Sequence, residues 1–364
     1  MLTVGHAAAM TASPLQIGSL QLALPAVQAA LSGYSDPAMR LVAREHGAPY
    51  ALHEVVLDTT VLQKGKLQRR ILDLAPADHP VGGQLMGSLP DQFGAAARTL
   101  VRGGYDVVDL NFGCPVNKVL GRRRGGYLLQ DPATALAMVD EVLQAVGAEV
   151  PVTVKMRRGS DDSAAAERNF FTILEGAIAR GVAAITLHPR TVAQKYVGPS
   201  RWEFLRRCKQ HVGSFPLLGS GDLFSPFAVV AMLRQTGVEG VTVARGCIGN
   251  PFVFEQVAAL LRGEPALRPT AARQRAAIAR HWQLAVPYYG SERAALPHVR
   301  MHVIKYGQYH PDPLWARERL VTLRGPEGLL PLVAEVFADH FDARLPPELR
   351  DGEAVANDLD QCGE

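Results

Sequence analysis

From residue 20 to about residue 262, short apolar runs alternate with longer stretches of helical period. Eight runs have the length of strands: residues 20–24, 50–54, 81–85, 107–111, 152–156, 184–188, 215–219 and 240–244. Amphipathic stretches at 91–102, 132–146, 164–180 and 226–235 lie between them. Strand then helix, repeated eight times, predicts an α/β fold of the (β/α)8 TIM-barrel type. A doubly wound open sheet is the competing architecture. It would gather its site residues at one switch point, whereas a barrel spreads them over the carboxyl ends of many strands.

The period changes after Gly263. Residues 264–269 hold two prolines and read as a linker. Strand signals then vanish, and 271–288, 298–309 and 329–344 read as helices. The expected organisation is an N-terminal extension at 1–18, a barrel over 19–263, a C-terminal helical domain over 264–345 and an acidic, disordered tail at 346–364. A length of 364 residues suits it, since a barrel takes about 250.

The composition is 48% hydrophobic and 20% charged, which suits a soluble globular protein. No apolar run approaches the roughly 20 residues of a membrane helix. The first 19 residues lack a basic start and a long apolar stretch, so no signal peptide is expected and the cytoplasm is the expected compartment. Cys114, Cys208, Cys247 and Cys362 form no CxxC pair. Neither a metal site nor a disulfide framework is expected. The net charge is only +3, but residues 267–325 hold ten Arg or Lys against three Asp or Glu, a net of +7. Charge polarised in this way suits an anionic partner such as RNA.

Candidate chemistry lies at the strand ends. The fourth strand runs into Asn111-Phe112-Gly113-Cys114-Pro115. Gly113 permits a tight backbone and Pro115 stops the strand, which leaves the Cys114 thiol on a loop over the barrel mouth. Arg122, Arg123 and Arg124, framed by glycines, suit a loop that faces an anion. The alternatives are a buried structural cysteine and a solvated charge run. Gln84, in the third strand, needs a partner; a pyrimidine-like ring edge, as a flavin presents, would serve, and so would neighbouring backbone. Lys155 and Arg157 stand at i and i+2 on one face of the fifth strand. A fixed cation there would meet the negative charge that a flavin gains on reduction; a structural ion pair is the alternative. His188 and Arg190 end the sixth strand. Ser220-Gly221-Asp222 and Ala244-Arg245-Gly246 follow the seventh and eighth, the two strands whose loops frequently bind phosphate in barrels. Together these parts suit FMN.

The same motifs resemble a known family. Asn111 to Pro115 with Lys118-Val119, Lys155-Met156-Arg157, His188-Pro189-Arg190-Thr191, and Ala244-Arg245-Gly246 through Gly249-Asn250-Pro251 resemble the bacterial tRNA-dihydrouridine synthases, over roughly residues 16–310. The resemblance implies an FMN barrel, NADPH as electron donor and a helical tRNA-binding domain. It also implies reduction of the C5=C6 bond of a uridine in the tRNA D-loop. Cys114 would be the proton donor. Gln84, Lys155 and His188 would contact the flavin. Gly221, Arg245 and Gly246 would hold its phosphate, Ser220, Asp222 and Ala244 are further expected cofactor contacts, and Asn111 would lie near both flavin and target base. Lys118, Arg122, Arg123, Arg157, Arg190, Arg300 and Lys305 are the expected RNA contacts, with His298 and His302 on the same helix as the last two.

Two departures stand out. The first strand reads Leu24-Pro25-Ala26-Val27-Gln28 where the family reads Ala-Pro-Met, so Pro25 and Ala26 become the candidates for the first flavin contact. Ser220 stands where the family has Asn. The rival functions are an FMN-dependent dehydrogenase of a free pyrimidine, like dihydroorotate dehydrogenase, and a non-catalytic RNA-binding barrel. A monomer is expected.

Overall fold

The computed structural model describes residues 14–352. The expected extension up to residue 13 and the tail from 353, with Cys362, lie outside them. Eight parallel strands close into a barrel: β1 (Ala26–Gln28), β2 (Ala51–Leu52), β3 (Val81–Met86), β4 (Val107–Phe112), β5 (Val152–Arg157), β6 (Ala184–His188), β7 (Leu217–Gly219) and β8 (Gly240–Val243). β8 pairs with β1 through Val241↔Ala26 and Val243↔Gln28, which closes the ring. The second position is broken. Ala51–Leu52 pairs with the start of β3, and Val56–Leu57 pairs with its end.

The first strand differs from expectation. Residues 20–22 pair antiparallel with 15–17. This hairpin buries Leu15, Ile17 and Leu22 against Val27, Tyr50, Leu52, Val107, Ala184 and Leu218. It plugs the amino end of the barrel, and the barrel strand follows it. Alternating Leu-Gln-Leu carries a stronger strand signal than the three residues of β1, and that signal belongs to the plug.

Helices cover the barrel, among them Pro37–Glu45, Pro90–Arg102, Pro132–Val146, Ala164–Ala179, Pro226–Thr236 and Val253–Leu261. Asp131, Ser163 and Ser225 cap three of them by accepting from Thr134, Ala166 and Ala228 N–H groups. The tail forms Ala271–Tyr289, Glu292–Tyr306, Pro313–Leu320 and Leu329–Val336. Its second helix starts six residues before the expected 298, because Ser291 caps it and Pro297 lies only in its second turn. The tail has its own core, built from Ile278, Trp282, Val299, Val303, Tyr306, Leu320, Leu329 and Val333. Ala38 and Val42 of the first barrel helix join that core.

The stretch after 345 is tied to the linker rather than loose up to 352. Leu349 N–H donates to Ala266 O at 2.8 Å, and Arg268 N–H donates to Pro347 O at 2.7 Å. Leu349 is buried, and its apolar side chain explains the departure from the expected acidic tail.

Candidate active site

Alternation along β3 to β6 points one residue in two inward. Gln84 is level with Asp109, Asp109 with Thr153, Asn111 with Lys155, and Arg157 with His188. The barrel interior is therefore polar on this side. The polar groups are hydrogen-bonded, as burial requires. Thr153 Oγ1 donates to Asp109 Oδ1 at 2.5 Å and Gln84 Nε2 to Asp109 Oδ2 at 2.6 Å. Asn111 Nδ2 donates to Gln84 Oε1 at 2.7 Å. Asn111 Oδ1 then accepts the N–H groups of Gly113 and Cys114.

Cys114 sits half-buried on the loop after β4, and burial raises its thiol pKa above the ordinary value. The thiol is thus neutral at pH 7. Gly125, with φ of +57°, backs it closely; a Cβ there would stand 2.8 Å from the Cys114 Cβ. Lys155 is half-buried one strand away. Burial and the neighbouring Arg157 lower its pKa to about 8, against the pull of Asp109 and Cys114. Burial, with Lys155, Arg157, Arg190 and Arg245 around it, pushes the His188 pKa down to about 2. His188 is a neutral imidazole whose buried Nε2 has no protein partner. Its Nδ1 lies 3.4 Å from Ser220 Oγ. Gly221, at φ +111°, passes so close to His188 and Ser200 that a Cβ would collide with both. Half-buried Arg245 completes the rim after β8, its guanidinium 4.8 Å from the Phe224 ring and 5.1 Å from the Tyr196 ring.

Other candidates stand elsewhere. Pro25 and Ala26 lie at the amino end of β1, because Pro25 O accepts from Val241 near the start of β8. The residues that reach the carboxyl rim from β1 are Ala29 to Gly33. Reading the hairpin as the barrel strand produced this error. Arg157 is buried and bonded to backbone: to Gly113 O at 2.9 Å, Thr191 O at 2.8 Å and Lys195 O at 2.7 Å. Arg190 is buried too, pairing with Asp222 at 2.8 Å and donating to Gly198 O. Asp222 also accepts Ser200 N–H at 2.7 Å. Both arginines therefore brace the rim loops, and Asp222 holds Arg190.

On the tail, Arg300 donates to Val321 O. His302 is buried edge-on to Tyr34 and beside His281, so it faces the first rim loop and not solvent. The +7 of the tail is also partly met. Arg273 pairs with Glu255, Arg275 with Asp339, Arg280 with Glu45 and Arg319 with Glu335, all acids outside residues 267–325. Lys118, Arg122 and Arg123 remain exposed beside the Cys114 loop.

The residue missed by sequence reasoning is Asp109. Its signal was a carboxylate two positions before Asn111 in an otherwise apolar strand. Among the described residues no helix is long and apolar enough to cross a membrane, and no cluster of His, Cys, Asp and Glu could hold a metal ion.

A closed parallel barrel that sets a thiol, a lysine, a neutral histidine and an arginine at its carboxyl rim defines a (β/α)8-barrel of the class that works at that rim. The chain belongs to the dihydrouridine synthase family, whose sequence profile, described as "Dihydrouridine synthase (Dus)", matches residues 27–336. It is 35% identical over 313 residues to the "Probable tRNA-dihydrouridine synthase 1" of Synechocystis, covering 86% of both chains. It is 34% identical over 342 residues to the "Probable tRNA-dihydrouridine synthase" of Mycobacterium tuberculosis, covering 91% of this chain and 86% of the other. The solved histamine dehydrogenase of Rhizobium shares the fold, with a TM-score of 0.56 and 16% identity. That match covers 75% of this chain and spans 50% of the dehydrogenase.

Proposed function

We propose that this chain reduces the C5=C6 bond of a uridine in the D-loop of tRNA, with FMN as cofactor, NADPH as electron donor and Cys114 as proton donor. The observation that carries this reading is the neutral, half-buried Cys114 thiol on the β4 loop of a dihydrouridine synthase barrel.

The rim has the donors that FMN needs. The glycine turn at Gly221 and the Arg245 guanidinium suit the phosphate. The unpartnered Nε2 of His188, the Gln84 amide and the Lys155 ammonium suit the ring edge. Bound there and reduced, FMN supplies a hydride to C6 of the uracil.

Negative charge then spreads over C5 and O4 of the base. Cys114 Sγ gives its proton to C5, which completes the saturated ring and leaves a thiolate to be reprotonated from solvent. A donor must hold its proton until that moment, and a thiol raised by burial does. Asn111 holds the Cys114 backbone and leaves one N–H for a base oxygen. The target must leave its stack, at a cost of a few kcal/mol. Lys118, Arg122 and Arg123 beside the thiol loop offset that cost through phosphate contacts.

The test is mass spectrometry of tRNA from a strain lacking this protein, with the purified full chain, FMN and NADPH added back. One uridine position should lose its dihydrouridine and regain it on addition. An unchanged dihydrouridine map would overturn the reading.

A further inference from the structure

We propose that Asp109 is a positioning residue whose carboxylate fixes the direction of a buried hydrogen-bond chain running through Gln84 and Asn111 to the backbone of Cys114. All three side chains are at least nine-tenths buried, with exposures of 2%, 1% and 9%. Bulk water therefore cannot stand in for a missing partner.

The direction follows from donor and acceptor counting. Burial raises the Asp109 carboxyl above the ordinary range, while the Thr153 and Gln84 hydrogen bonds and Lys155 favour its ionised form; in that form the carboxylate only accepts. Asp109 already accepts Thr153 Oγ1 on one oxygen and faces Gln84 with the other. Gln84 must therefore turn its NH2 group to Asp109 and its carbonyl oxygen to Asn111. That oxygen takes Asn111 Nδ2 at 2.7 Å. Asn111 must in turn present its own oxygen to the loop, where it receives Gly113 N–H at 3.0 Å and Cys114 N–H at 3.1 Å. A carboxamide has nearly the same shape with its O and N exchanged. Without Asp109, both amides could reverse together, and Asn111 would then point an NH2 group at two backbone N–H groups. The loop would lose both bonds.

The chain also limits what the site can bind. The strongest groups left free on Gln84 and Asn111 are one N–H each. They suit the carbonyl oxygens of a ring edge. This role of Asp109 toward substrate rests on the proposed reaction; its control of the Cys114 loop does not.

The experiment measures alkylation of Cys114 by iodoacetamide in the purified full-length protein, followed by mass spectrometry across a pH series. The limiting rate at high pH reports access to the thiol, separately from its titration. Asp109→Leu removes the acceptor. Thr153→Val is the packing control, because it touches the same carboxylate and leaves Gln84's acceptor in place. Asp109→Leu should raise the limiting rate about tenfold, the scale set by losing the loop's hydrogen bonds. Thr153→Val should stay within about twofold, well inside the scale of one bond. Equal rates for Asp109→Leu and wild type, or equal effects of the two substitutions, would overturn the proposal. If Asp109→Leu does not fold, Gln84→Leu cuts the same chain one link higher and carries the same expectation. A second arm assays tRNA: Asp109→Leu should lower kcat with KM little changed, and a change in KM alone counts against positioning. The first arm uses no tRNA, so a wild-type protein that reduces no uridine sinks the proposed reaction without touching the alkylation result.

Discussion

The side-chain oxygen of Asn111 accepts the backbone N–H of Cys114 at 3.1 Å. A strand end thereby holds the loop that carries the thiol, and burial keeps the thiol protonated against the Val116 backbone and the charges of Arg157 and Lys155. Substitution of Cys114 by Ala should slow uridine reduction about a hundredfold to ten-thousandfold, the usual contribution of a positioned acid. Flavin content and flavin reduction by NADPH should be unchanged, since neither needs that proton. Single-turnover reduction of a tRNA transcript by pre-reduced enzyme measures the step; wild-type speed in Cys114→Ala would remove the thiol from the mechanism.

Lys155 is expected to set the alkaline limit of the proposed reaction. Its pKa is lowered to about 8, chiefly by burial. A lysine loses its charge as pH rises, so the cation is present below that value and lost above it. Burial raises Cys114 above the ordinary thiol value, and it stays protonated over the same range. The rate of uridine reduction should therefore fall above about pH 8, and Lys155→Arg should shift that limb upward. Stability moves the other way. The unfolded lysine titrates at 10.5 and the folded one near 8, so the unfolded chain holds more protons between them and stability rises with pH across that window. A pH profile whose alkaline limb is the same in Lys155→Arg would assign it elsewhere.

Every barrel strand but β1 was legible in the sequence. β3, β4 and β5 have six residues each, and their apolar runs announce them. β1 has three residues and sits behind a hairpin with a cleaner alternation, so Pro25 and Ala26 were placed at the wrong end of the barrel. The thiol was visible from the Gly113-Cys114-Pro115 strand end, and Lys155 and His188 because such residues are costly in a barrel wall. Arg157 and Arg190 carry the same signal, yet they serve the fold. Their partners, Thr191 O and Asp222, lie 34 and 32 positions away, and no local pattern encodes such pairs. Part of the +7 of the tail was likewise hidden from the sequence, since Glu45 and Glu255 pair with two of its arginines from the barrel.

Arg190 and Asp222 give a stability prediction that separates bracing from RNA contact. Arg190 is 3% exposed. Asp222→Asn leaves that guanidinium buried with only Gly198 O and a weaker amide. Removing one partner of a fully buried pair costs about 3–5 kcal/mol, and the part-exposed Asp222 places this case nearer about 2. Urea denaturation should show the loss, with the m-value unchanged. The salt dependence of tRNA binding should not move, because Arg190 has no charge free for phosphate. A changed salt slope with unchanged stability would restore Arg190 as an RNA contact.

The last prediction concerns which arginines RNA meets. Arg122 and Arg123 are exposed beside the Cys114 loop, while Arg280 is held by Glu45 at 2.9 Å. Each phosphate contact releases counterions, so losing one should flatten the plot of log affinity against log salt by about 0.7 to 0.9. Arg123 has φ of +55°, a conformation that Asn tolerates better than most residues. Arg123→Asn therefore removes the charge without distorting the turn, and Arg122→Gln does the same at its neighbour. The pair together should flatten the slope by about 1.5 and weaken binding at low salt. Arg280→Gln should leave the slope unchanged, since its charge already serves Glu45. Binding titrations of tRNA at several salt concentrations make the comparison. If Arg280→Gln flattens the slope and the loop variants do not, the RNA lies on the tail and away from the thiol loop.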